Sequence, residues 1–342
     1  MSKNKKFLDK SLDKLSSGKN KLTTEVAPKL SKTINDAAKK ASDSVAEGTH
    51  KLADKGSETK EVIVNQLDAN HDGHVDIEDI ITLGMKVPGV RINREDFLRK
   101  ELKLHYDTQI IDQAIATTPS AAGISSAELD DIAEAVIQRE RYHVSGISAA
   151  LGTPGGISAV ATIPTDIIQF YGYMLRTAQE LMYLYGFPDL LQDNEETDLD
   201  SSTMNILIIA LGVMYGVSGA SNAIRAMAKA LGNGVQKQLM KKALTKGTIY
   251  PIVKGVSKWF GVRMTKEVFS GFFQKTIPVL GGVLGGGITY ATFKPCCDKL
   301  KVSLKNTKLV NPDYQESTEE AEVYDAIITE IKDENDHLIC EN

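Results

Sequence analysis

Within the stretch LDANHDGHVDIEDI, residues 67–80, oxygen-bearing side chains recur at the spacing that a hard divalent cation demands. A calcium-type loop supplies oxygens from positions 1, 3, 5, 7, 9 and 12, the seventh through its carbonyl, with glycine at position 6 where the chain turns sharply. Counted from Asp68, these positions fall on Asp68, Asn70, Asp72, the His74 carbonyl, Asp76 and Asp79, with Gly73 at the turn. Val75 is the apolar residue that anchors such a loop. Val64, Leu67, Ile80 and Ile81 supply apolar faces to flanking helices. The last ligand is Asp79, one methylene shorter than the glutamate that reaches calcium with both oxygens. A shorter arm favours one-oxygen coordination, so weak calcium binding or a mixed calcium and magnesium site is expected. The side chains of His71 and His74 stand at non-ligand positions, which argues against zinc. The alternative is a metal-free, aspartate-rich turn. A second loop is not expected: INREDF at 92–97 echoes VDIEDI but begins too soon and lacks the upstream carboxylates.

The second chemical pattern lies in PTDIIQFYGYMLRTAQELMYLYG, read as a helix over Pro164 to Gly186. Asp166, Gln169, Tyr173, Arg176 and Glu180 follow one another at helical spacing and share one face of an otherwise apolar helix. A central helix could hold them only as a paired seam. They are read as a salt-bridged structural seam or a solvated face, with a ligand-binding or hydrolytic seam as the alternative.

The third pattern is charge segregation. Residues 1–60 carry 14 Lys against 8 acids, and 311–342 carry 11 acids against one Lys. No acid falls between Asp200 and Glu267, whereas ten basic residues do. Arg225, Lys229, Lys237, Lys241, Lys242, Lys246, Lys254 and Lys258 are therefore a candidate patch for an anionic membrane surface, each basic group contributing about 1 kcal/mol near such a leaflet. The alternatives are a solvated helical face or a protein partner. No nucleic-acid motif or stacking-aromatic pattern accompanies the charge, so nucleic acid is not expected. Nor does the chain carry a nucleophile elbow, phosphate loop, catalytic zinc signature or dinucleotide fingerprint. GGVLGGG lacks the Lys-Ser/Thr ending of a phosphate loop, and the adjacent Cys296 and Cys297 have no second cysteine or histidine cluster to complete a metal site.

The elements that must position these residues read as helices. INREDFLRKEL is entered at Asn93, DTQIIDQAIATT follows, and SAELDDIAEAVIQRERYHV opens with Ser126 as its cap. Sustained two-residue alternation and Asn-Gly hairpin turns are missing, so the fold class is all-α: a helical bundle with tightly packed Gly-rich helices, preceded by one helix-loop-helix. Its expected divisions are a Lys-rich flexible or amphipathic segment over 1–56, the helix-loop-helix over 57–100, a helical body over 101–308 and an acidic tail over 309–342.

Three uncharged runs, 144–165, 201–224 and 276–293, suit either buried helices or membrane insertion. Small residues at four-residue spacing, as in Gly212 with Gly216, Gly281 with Gly285 and Gly282 with Gly286, allow helix backbones to approach closely. Three cysteines, two of them adjacent, make no disulfide framework, and the N-terminus has no apolar signal core, so a cytoplasmic location is expected, peripheral to or inserted in a membrane.

The loop at 68–79 resembles an EF-hand. YHVSGISAALGTPGG, TIPTDIIQ, Arg176, LYGFPDL and IPVLGGVLGGGITY together resemble the pattern of the EcsC family of bacterial proteins, over roughly Glu101 to Lys308. The resemblance implies an all-helical fold and matches Asp166, Arg176 and the Tyr185-Gly186 turn. It implies no reaction. The expected function is thus a divalent-cation-binding, membrane-associated or scaffolding module, the alternative being a hydrolase that uses Asp166, Arg176 and Glu180.

Overall fold

A computed structural model describes residues 64–151, 158–191, 199–234, 247, 249–264, 285–311 and 313–340. The Lys-rich segment 1–56, Lys237, Lys241, Lys242, Lys246, Gly281 and Gly282 lie outside the described residues. The described part is all-α, with no strand. Its helices are α1 (Ile77–Met85), α2 (Arg94–Leu102), α3 (Thr108–Ala116), α4 (Ser126–Leu151), α5 (Ser158–Leu184), α6 (Ser201–Tyr215), α7 (Ala220–Gly232), α8 (Tyr250–Met264), α9 (Gly285–Lys305) and α10 (Thr318–Cys340).

Helix α5 is the axis of the bundle. Its neighbours are α1, α2, α4, α6 and α9, and residues 177–187 are buried without interruption. It starts at Ser158, ahead of the Pro164 start that the sequence suggests, so that proline lies inside the helix. Helix α6 is buried on every side, which settles its apolar circumference within the core of the bundle. Its first turn is held by Asp200, whose Oδ1 accepts from the Ser202 and Thr203 N–H groups at 2.8 and 3.0 Å. Its end is closed by Gly216 at φ +73°, with Val217 N–H donating to Gly212 O at 2.8 Å and Gly216 N–H to Val213 O at 3.0 Å, a Schellman motif. At 15 residues it spans about 22 Å. Among the described residues no helix is long and apolar enough to cross a membrane.

Of the expected pair Gly212 and Gly216, Gly216 caps the helix end, whereas Gly212 lets its helix approach neighbouring side chains closely. A Cβ there would stand 2.8 Å from Val256 Cγ2 and 3.1 Å from Ala220 Cβ, so α6 sits against α8 and α7. Helix α4 begins one residue earlier than its sequence cap suggested: Ser125, not Ser126, is the cap. Ser125 Oγ accepts from Glu128 N–H at 3.3 Å while Glu128 Oε2 accepts from Ser125 N–H at 3.0 Å, a reciprocal capping box. Asn93 caps α2 as read, accepting from Asp96 N–H at 3.0 Å.

The loop and its helices are built into the bundle. Val64, Leu67, Val75, Ile77, Ile80 and Ile81 belong to the same continuous apolar core as the buried residues of α4, α5, α6 and α9. Helix α1 meets α5 backbone to backbone: a Cβ on Gly172 would lie 3.2 Å from the Gly84 carbonyl, and one on Gly84 would lie 2.9 Å from Leu175 Cδ1.

Candidate functional sites: a carboxylate loop and a buried charge cluster

Around the loop, the local sequence works twice. Asp76 caps α1, accepting from Asp79 N–H at 3.0 Å, and Asp79 returns the bond by accepting from Asp76 N–H at 2.9 Å. The final residue of the donor series is thus also the third residue of a capping box. The other Asp79 oxygen accepts from Ala69 and Asn70 N–H at 3.0 and 3.2 Å, drawing the start of the loop onto its end. Asp68 accepts from Asp72 and Gly73 N–H at 3.2 and 2.8 Å. Gly73 stands at φ +87°, where a side chain would be strained, and His71 also adopts a left-handed backbone.

Asp68 and Asp79 are buried, whereas Asn70, Asp72 and His74 are exposed. Burial, together with the Asp76 charge, lifts the Asp79 carboxyl to about 6. The donor chemistry suits a hard dication, since the series offers oxygens alone. In the arrangement described, each of the five donor side chains accepts from at least one backbone N–H. Among the described residues no three His, Cys, Asp or Glu side chains converge as a metal-holding group.

The seam on α5 is partly realised. Arg176 Nη2 lies 3.1 Å from Glu180 Oε1, and Arg176 Nε lies 3.1 Å from Glu140 Oε2 of α4. From α4, Arg139 reaches Glu101 of α2 at 2.8 Å, Glu140 at 2.9 Å and Glu180 at 3.4 Å. Arg176 also donates through Nη1 to the Gly89 carbonyl, in the turn that follows α1. Tyr173 lies beside the cluster, half-buried, its hydroxyl near the charges of Glu140 and Arg176. Gln169 is partly buried and contributes no contact to the cluster among the described residues. The backbone of Asp166 lies in α5, and its side chain lies outside the described residues.

Glu140 and Glu180 side chains are 0 % exposed, against 10 % for Glu101, 21 % for Arg176 and 27 % for Arg139. Burial and then the Glu140 charge push the Glu180 carboxyl up to about 8, against the pull of Arg176 and Arg139. Sequence spacing on α5 alone missed Arg139, Glu140 and Glu101. A signal existed in α4: Glu140 stands four residues after Val136 and four before Val144, both fully buried, so it sits on the apolar stripe. Gln179, outside the seam, is also buried, donating to Val90 O at 3.0 Å and accepting from Ile92 N–H at 3.2 Å.

The basic patch divides. Arg225 Nη1 donates to Tyr314 Oη at 3.2 Å, and Lys229 Nζ reaches Glu316 Oε2 at 2.7 Å and stands 3.8 Å over the Tyr324 ring. Both basic groups are half-buried under the acidic C-terminal segment. Lys254 and Lys258 of α8 are exposed. Cys296 and Cys297 are free thiols in α9, with Cys297 fully buried and its thiol pushed up by that burial, which makes it a packing residue. No protein-family model, curated protein or solved structure compared with the chain matches it.

Proposed function

We propose that the protein is a dication-responsive helical module: residues 68–79 take up calcium or magnesium, and the state of that loop is passed to the bundle through α1. The supporting observation is the seating of α1. It springs directly from the loop at Asp76, meets α5 backbone to backbone at Gly84 and Gly172, and reaches α8 through Glu78 Oε1, which accepts from Ser257 Oγ at 3.0 Å. A change in loop geometry is therefore a change in how α1 lies on the axis of the bundle. Asp68, Asn70, Asp72, Asp76 and Asp79 would hold the ion through side-chain oxygens and His74 through its carbonyl. The ion would supply a fixed positive charge among buried carboxylates and no reaction.

The experiment is a calorimetric titration of the full chain with calcium and with magnesium, paired with thermal unfolding and with proteolysis between residues 56 and 100. Saturable heat, a raised Tm and slower cleavage are expected, all abolished in Asp68→Ala. Absence of heat and unchanged cleavage at millimolar ion would sink the proposal.

The partner surface we propose is an anionic membrane or an acidic protein face meeting the acid-free stretch, where Lys254 and Lys258 are exposed. Flotation with anionic and neutral vesicles at low salt tests it. Equal recovery with both lipids removes the membrane reading, and binding to a protein partner that survives high salt favours the scaffold.

A further inference from the structure

The cluster at the junction of α2, α4 and α5 does not balance. Glu101, Glu140 and Glu180 bring three carboxylates, while Arg139 and Arg176 bring two guanidiniums. Glu140 and Glu180, the two carboxylates with no solvent exposure, face the same two arginines, close enough for the charge of Glu140 to act on Glu180. Glu180 Oε2 has no hydrogen-bond partner among the described residues, and Glu140 Oε2 has ion-pair contacts with Arg176 Nε at 3.1 Å and His143 Nδ1 at 3.6 Å but no hydrogen bond. An uncompensated charge in such a place costs several kcal/mol, and a carboxylate meets that cost by taking a proton.

The other ionisable groups around Glu180 leave the imbalance in place. Helix α2 adds Lys100, whose side chain is 55 % exposed and which reaches only Glu101, at 3.4 Å. Helix α4 adds His143 at the rim, 57 % exposed and 3.6 Å from Glu140. Helix α5 itself adds Tyr173, and α9 adds the buried thiol of Cys297. On α1, Glu78 is turned to Ser257 and Asp79 to the loop. The one ionisable group on α6 is Tyr215, which bonds Tyr171.

We infer that Glu180, buried with Glu140 against the same two arginines, is a proton-binding site that holds its proton at neutral pH and makes the junction of α2, α4 and α5 a pH-sensitive switch. The shift of Glu180 agrees in direction. A carboxyl raised from its usual 4.5 to about 8 in the folded chain holds a proton there that the unfolded chain has released. Stability from this group is therefore full below the lower of those values, falls as pH rises between them and levels off above the upper one. Because Arg176 also grips the Gly89 carbonyl, proton release is felt at the turn after α1.

The test uses the full chain with Glu180→Gln and Glu140→Gln variants, in millimolar calcium throughout so that changes at the loop stay common to all three. Infrared spectroscopy at neutral pH is expected to show a protonated-carboxyl band in the parent that both variants lack. Thermal unfolding from about pH 5 to about pH 9 is expected to give a falling Tm in the parent and a flatter profile in either variant. Identical spectra, or parallel Tm profiles, would overturn the inference. So would failure of Glu180→Gln to fold, because glutamine reproduces the shape and charge of the protonated acid.

Discussion

Arg94 shows how much one side chain can hold. Its guanidinium donates to the carbonyls of Ile115 at 2.7 Å, Phe187 at 3.0 Å, Thr117 at 3.1 Å and Ala114 at 3.3 Å. It thereby satisfies the carbonyls left open at the end of α3 and ties them to the segment after α5. Burial lowers its pKa, while the Asp189 charge and Tyr183 oppose that. Arg94→Met is expected to lower unfolding stability by about 3 kcal/mol, measured by urea denaturation, because several buried acceptors lose their donor together. Arg94→Lys should rescue little of it, since one ammonium cannot reproduce a planar fork that serves both segments. A cost below about 1 kcal/mol would mean that water or repacking replaces the fork.

Between elements, two kinds of joint hold the bundle. One is close approach without a side chain. At Gly212, an added methyl would meet Val256 Cγ2 at 2.8 Å and Ala220 Cβ at 3.1 Å, so Gly212→Ala must push α8 or α7 outward. A loss of about 1 to 3 kcal/mol in chemical denaturation is expected. An unchanged midpoint would show that α8 yields freely.

The other joint is the polar ladder between α4 and α9, where Glu134 meets Lys294 at 2.9 Å and Lys301 at 3.1 Å. Desolvation raises Glu134, but the bonds from Gln138, Lys294 and Lys301 outweigh it and bring the carboxyl to about 2. A depressed carboxyl stabilises the fold above its unfolded value and loses that contribution as pH falls toward the folded one. Acid unfolding between pH 4.5 and about 2 should therefore be blunted in Glu134→Gln, which starts less stable and has less to lose. Circular dichroism at graded pH reads this directly. Glu134 is partly exposed, so the effect is modest.

At the scale of the molecule, the acid-free stretch and the acidic C-terminal segment meet. The acidic C-terminal segment lies over α7, Glu316 and Tyr324 engage Lys229, and Arg225 reaches Tyr314 and, at 3.9 Å, Glu320. The basic stretch is thus partly covered from within the chain. A Glu316→Gln, Glu320→Gln double variant is expected to be retained more strongly on anionic vesicles at low salt, with no change on neutral ones. Equal retention of variant and parent would mean that Arg225 and Lys229 stay inaccessible without those acids.

The sequence by itself determined what local chemistry determines. Asn93, Asp107 and Asp200 are short oxygen side chains ahead of helical stretches, and each caps a helix. The run from Ser201 is apolar on every face, which by itself suits burial or membrane insertion alike, whereas the oxygen spacing from Asp68 to Asp79 requires no knowledge of the rest of the chain. Tertiary structure decided which charges meet. Periodicity on α5 placed Arg176 beside Glu180, but their partners Arg139, Glu140 and Glu101 come from other helices, and the basic groups of α7 find theirs some 90 residues away. Helical spacing fixes the face on which a side chain stands. Only packing fixes what lies opposite, how little water remains between them, and so whether a charge is solvated, paired or neutralised by a proton.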